Sequence, residues 1–137
     1  MKKYVVVDTN VLVSALITRN ESSPTVKILR YIADNRIIPV FSEEIIREYN
    51  EVLHRAKFKL PDEIIINLLN DIINYGYEVK ETVKVEEAMP DPKDIVFYAV
   101  TLSTSDKESV LVTGNSKHFP IKPFVVTPAE LVDLLEK

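Results

Sequence analysis

Five positions in this 137-residue chain carry side-chain oxygen at places where a fold could use it: Asp8, Glu48, Asp91, Asp94 and Asn115. Asp8 closes the apolar run of residues 4–7, at the end of a buried strand where an ionised carboxylate is costly to desolvate unless a cation or hydrogen bonds compensate it. The simpler alternative is that Asp8 caps a helix beginning near Asn10. Glu48 falls in a helix expected over residues 43–56, whose core face is set by Ile45, Tyr49, Val52 and Leu53. Of its acids Glu44, Glu48 and Glu51, Glu48 lies nearest that face at about 100° per residue, so it is the one expected to point inward. Asp91 and Asp94 stand in D-P-K-D directly before the apolar run of residues 95–100. An acidic first helical turn explains Asp91 as N-cap with Pro92 behind it, and explains Asp94 less well. Taken together, an acid at a strand end, one on a helix edge, a pair at a helix start and an amide at another strand end form an oxygen-rich set suited to Mg²⁺ or Mn²⁺.

These side chains can meet only if the elements carrying them do. The pattern predicts strands over residues 4–7, 37–41, 77–79, 110–112 and 124–126, separated mostly by helices. Ser23 followed by Pro24 marks one helix start and Asp34-Asn35 its end. Ser42 caps the next helix. Pro61-Asp62 opens another that stops near residue 75, where Gly76 is expected to adopt a left-handed C-terminal conformation. Thr127-Pro128 opens a last amphipathic helix. Strands alternating with helices imply a parallel sheet between helical layers, because parallel neighbours need crossover connections. In such three-layer α/β domains ligands bind beyond the carboxyl ends of the strands, which is where Asp8 and the segment Thr113-Gly114-Asn115 fall.

The composition narrows the chemistry further. One domain, residues 1–137, is expected from the length, and 46% apolar residues allow a substantial core. Two glycines, Gly76 and Gly114, are too few for a dinucleotide loop, a phosphate loop or a nucleophile elbow. The absence of cysteine removes thiol nucleophiles and Cys-ligated metal. His54 and His118 lack the spacing of a zinc pair, and His118 is expected only to shape the loop before Phe119-Pro120. The apolar run after Lys2 and Lys3 ends at Asp8, too short for a signal peptide, and no stretch suits a membrane helix, so a cytoplasmic protein is expected.

Three segments, V-V-V-D-T-N-V-L-V-S-A-L from Val5, D-P-K-D-I-V-F-Y from Asp91 and L-V-T-G-N-S-K-H-F-P from Leu111, closely resemble PIN-domain proteins, in the same order along the chain. The VapC-like branch, toxin components of prokaryotic toxin-antitoxin pairs, is the nearest in pattern. The resemblance implies a three-layer α/β/α fold around a five-stranded parallel sheet and a metal-dependent endoribonuclease. It implies that Asp8, Glu48 and Asp94 are catalytic and metal-ligating, with Asp91 an additional ligand. Asn115 stands where many PIN domains carry a fourth Asp, offering a carbonyl oxygen without the charge. Asn10 and Thr113 match polar residues that organise the site. Lys93 and Lys117, beside the acids, are candidate phosphate contacts. An RNA substrate, a small antitoxin partner and a homodimer follow from the same resemblance.

Net charge alone speaks against nucleic acid, with 17 Lys and Arg against 21 Asp and Glu. Removing Asp8, Glu48, Asp91 and Asp94 leaves 17 acids, so the candidate site accounts for the whole excess. A bound divalent ion would reverse part of that field. Two rivals compete with the nuclease: a PIN-like module that binds RNA or protein without cutting, motivated by Asn115, and a phosphoryl-transfer domain using Asp8 as nucleophile. The second fits poorly, since the D-x-D it needs has Asn10 in the second place.

Overall fold

In the computed structural model, which describes residues 2–137, the apolar run near the N-terminus forms β1 (Lys3–Val7), with Val5, Val6 and Val7 buried. Burial on both sides explains why every residue at its core is β-branched and apolar rather than alternating with polar ones. α1 (Thr9–Ile17) and α2 (Pro24–Ala33) follow, then β2 (Ile37–Phe41) and α3 (Glu43–Leu53). α4 (Asp62–Tyr75) leads to the two-residue β3 (Tyr77–Glu78), and α5 (Ile95–Ser103) to β4 (Val110–Val112). β5 (Val125–Val126) and α6 (Pro128–Glu136) complete the chain. The five strands are all parallel in the order β3-β2-β1-β4-β5, with helices on both faces. This is the three-layer α/β/α architecture expected.

The strand order places the site. Successive connections run outward from β1 through β2 to β3, and the chain then returns to the other side of β1 to lay down β4 and β5. The order therefore reverses between β1 and β4, the switch point at which crevices open at the carboxyl end of a parallel sheet. Val7 pairs with Val112 at that end, so the residues that follow, Asp8 and Thr113, emerge side by side.

Local chemistry accounts for most element ends. Asn35, at φ 60°, closes α2, with its own N–H on the Ile32 carbonyl and the Arg36 N–H on that of Tyr31. Ser42 Oγ accepts from the Ile45 N–H at the start of α3. Thr127 and Glu130 form a reciprocal capping box on α6. α3 stops at Leu53, short of the expected residue 56. Leu53 is its last buried side chain, and the next helical positions, Ala56 and Lys57, are exposed with nothing to pack on. A 3-10 turn, Ala56–Phe58, follows instead. The helix expected from Asp91 is likewise split into a 3-10 turn, Pro92–Asp94, and α5.

Gly76 departs from expectation. Its φ of −88° and ψ of −175° are extended rather than left-handed, so the backbone there suits any residue. The position excludes a side chain for another reason: a Cβ would sit 2.4 Å from the carbonyl oxygens of both Ile72 and Pro39. Gly76 lets the end of α4 close onto β2. Among the described residues no helix is long and apolar enough to cross a membrane.

Candidate active site

Asp8 is the single residue between β1 and α1, with an extended N-cap backbone, yet its side chain makes no capping hydrogen bond. Its Oδ2 instead accepts from Thr113 Oγ1 at 2.7 Å and from Asn10 Nδ2 at 3.1 Å. Oδ1 takes no side-chain hydrogen bond. The loop after β4 supports this grip residue by residue. Thr113 is fully buried and holds Asp8, Gly114 N–H donates to Asn10 Oδ1 at 3.1 Å, and Asn115 N–H donates to Thr113 Oγ1 at 3.0 Å. A Cβ on Gly114 would come within 3.3 Å of Asn10 Oδ1, which explains the small residue in the middle of the clamp. Only 5% of Asp8 is exposed, and burial lifts its carboxyl from 3.8 to about 6. The Thr113 hydrogen bond and the Thr9 N–H oppose that rise, while the nearby charges of Asp94 and Glu48 add to it.

Glu48 reaches this corner because α3 is pinned to the end of β1. Tyr49, fully buried on the core face of α3, donates its hydroxyl to the carbonyl of Val7, the residue before Asp8. Burial, reinforced by the charges of Asp8 and Glu48, holds the Tyr49 phenol well above its ordinary range, so it remains a donor. Glu48, half-buried beside it, accepts from Thr9 Oγ1 at 2.5 Å. Each residue of the D-T-N segment thus has a part: Asp8 presents a carboxylate, Thr9 orients Glu48 and Asn10 orients Asp8.

Asp91 and Asp94 are separated by their roles. Asp91 Oδ1 accepts from the Lys93 N–H at 2.9 Å and so caps the 3-10 turn. Asp94, at the mouth of α5, makes no capping bond. Its Oδ2 is buried without any hydrogen-bond partner; the nearest cation-forming group is His118 Nδ1 at 3.4 Å. Desolvation raises the Asp94 carboxyl, as do the charges of Asp91 and Glu48, with His118 opposing.

A family description of the PIN domain matches residues 4–117, from β1 to the turn after β4. The chain belongs to the PIN-domain family. No curated protein matches it. The PIN domain is a nuclease-type fold, and the matched span contains Asp8, Glu48, Asp91, Asp94 and Asn115.

In this PIN domain the structure brings Asp8, Glu48 and Asp94 within reach of one another's charge, from β1, α3 and the start of α5. As the side chains stand, no three Asp, Glu or His residues among those described converge tightly enough to enclose an ion. Glu48 is turned to Thr9 and Asp8 Oδ2 to Thr113. The donor chemistry nevertheless fits a hard divalent ion: desolvated carboxylates repel one another, and one buried oxygen is unpartnered. Asn115 is exposed, and its carboxamide forms no hydrogen bond with the acids. Lys93 and Lys117 are exposed beside them and form no ion pair among the described residues. Three participants escaped the sequence reading. Thr9 and His118 lie inside the recognised segments, while Tyr49 was assigned only to the core. A hydroxyl or imidazole adjoining a motif acid was the available signal.

Proposed function

We propose that this PIN domain is a Mg²⁺- or Mn²⁺-dependent endoribonuclease acting in the cytoplasm as the toxin of a prokaryotic toxin-antitoxin pair. The observation that carries the nuclease reading is the unpartnered, buried Oδ2 of Asp94 beside two further carboxylates, with only a half-exposed imidazole to offset their charge. Asp8, Glu48 and Asp94 would hold the ion, with Asp91 as an additional ligand whose charge also acts on Asp94. A divalent ion bound there acidifies water near neutral pH and sets positive charge against the phosphate. Thr113 and Asn10 fix Asp8 in one orientation, Thr9 does the same for Glu48, and Lys93 and Lys117 draw phosphate oxygens toward a rim that is otherwise acidic. In-line attack of water on phosphorus leaves 5′-phosphate and 3′-hydroxyl ends.

The reading is tested by cleavage of single-stranded RNA in Mg²⁺ or Mn²⁺, with analysis of the ends. Wild type cleaves, chelator abolishes cleavage, and Asp8→Asn is inactive but folded. Full activity of that variant sinks the reading. A binding module without catalysis is the second reading, favoured by the uncharged Asn115. It wins if neither ion shifts thermal stability nor permits cleavage. The toxin role adds growth arrest on overexpression, relieved by a small protein encoded nearby. Homodimer formation has candidate surfaces on α4, where Ile64, Ile66, Ile73 and Tyr75 are exposed.

A further inference from the structure

Beside the carboxylates, a groove of about 610 Å³ runs between α1, the end of α3 and the 3-10 turn Ala56–Phe58. Its inner end is Thr9 and Asn10, the residues that orient Glu48 and Asp8; its walls are Val13, Ile17, Val52 and Phe58. It is an open groove on the surface rather than an enclosed cleft. Phe58 is its one aromatic member. Like Val52 it is half-buried and belongs neither to the hydrophobic core nor to the half-buried apolar residues packed against that core. The turn carrying it is closed by hydrogen bonds from Phe58 N–H to Arg55 and from Lys59 N–H to Ala56, and Lys59 adopts φ 52°. Lys59 in that conformation ends the turn much as Asn35 ends α2, and the turn sets the Phe58 ring against the groove.

The residues on either side of Phe58 in the chain are basic. Arg55, Lys57 and Lys59 are exposed, and none forms an ion pair among the described residues. Lys57 Nζ lies 5.2 Å from the centroid of the Phe58 ring. An aromatic face among unpaired cations is how proteins hold single-stranded nucleic acid: bases stack on the ring while the cations follow the phosphates. Continuity with Asp8 and Glu48 through Thr9 and Asn10 sets the distance scale, a neighbouring nucleotide rather than a remote one.

We propose that this groove seats a base of single-stranded RNA next to the phosphate being cut, with Phe58 as the stacking face and Arg55, Lys57 and Lys59 on the adjoining backbone. This rests on the nuclease reading for the cut but not for the binding, and the experiment separates the two. Wild type, Phe58→Ala, Phe58→Leu and Phe58→Trp are compared in full-length protein for anisotropy of a fluorescein-labelled single-stranded RNA, for RNA cleavage, and for Mn²⁺-dependent hydrolysis of bis(p-nitrophenyl) phosphate, which has no base. Phe58→Ala and Phe58→Leu are expected to weaken RNA binding and raise KM about 10-fold or more, the scale of one lost base stack. Hydrolysis of the base-free diester changes far less than binding and cleavage of RNA, and Phe58→Trp restores affinity. Phe58-dependent RNA binding without any cleavage leaves the platform standing and removes the nuclease. Affinity within twofold of wild type in Phe58→Ala, full affinity in Phe58→Leu, or no RNA binding by wild type overturns the proposal.

Discussion

Replacing Asp8 with Asn should stabilise the metal-free protein at neutral pH while abolishing the proposed metal-dependent cleavage of RNA. The carboxyl is almost wholly buried, and burial lifts it from 3.8, the value it regains on unfolding, to about 6. Holding it ionised in the fold therefore costs about 3 kcal/mol above pH 6, at about 1.4 kcal/mol per unit. Between pH 3.8 and about 6 the folded state binds the proton more tightly than the unfolded state, so Asp8 makes the wild type lose stability as pH rises through that window. Asn cannot titrate and retains an oxygen to accept from Thr113. Its advantage is nil near pH 3, grows across the window and is complete above it. At pH 7.5 in chelator the gain should be about 1–3 kcal/mol, a rise of roughly 3–10 °C in Tm for a chain of this length. Thermal melts of both proteins from pH 3 to 8, with and without Mn²⁺, measure it. Added Mn²⁺ should raise the wild type toward the variant and leave the variant unmoved. A Tm equal to or below wild type at pH 7.5 in chelator would refute the reasoning, because the Asp8 charge would then be no burden on the fold.

Two further outcomes follow from the packing around the site. Gly76→Ala keeps an allowed backbone but drives a methyl against the Ile72 and Pro39 carbonyls, so denaturant unfolding should show a loss of about 1–3 kcal/mol. A loss below 1 kcal/mol would mean that α4 and β2 separate easily. Tyr49→Phe removes the donor that ties α3 to Val7 and leaves a buried carbonyl short of a partner. It should lower stability by about 1–3 kcal/mol and reduce kcat for RNA more than it raises KM, since Glu48 loses its placement beside Asp8.

Much of the scaffold was legible because its signals are local. The run Val5-Val6-Val7 marks a strand buried on both faces, Ser42 and Thr127 mark helix starts, and Asn35 marks a helix end, each through chemistry within a few residues. Gly76 was marked as a boundary for the wrong reason. Its constraint comes from the Ile72 carbonyl of its own helix and equally from that of Pro39 in another element, and no pattern around position 76 reports the second contact. The split at Pro92–Asp94 was hidden for a related reason: a 3-10 turn and a first α-turn use the same Asp-Pro opening.

The site divides along the same line. Residue types and order were enough to single out Asp8, Glu48 and Asp94 as hard oxygen donors and to relate them to a family, since those properties belong to the chain itself. Whether Asp8 serves as a helix cap or as a presented carboxylate was open until the strand order set β4 beside β1. That pairing delivers the Thr113 hydroxyl to Asp8 across 105 residues of sequence, and the surrounding helices supply the burial that raises its carboxyl. Desolvation and mutual charge are properties of what surrounds a group in space, so only the tertiary structure could decide them.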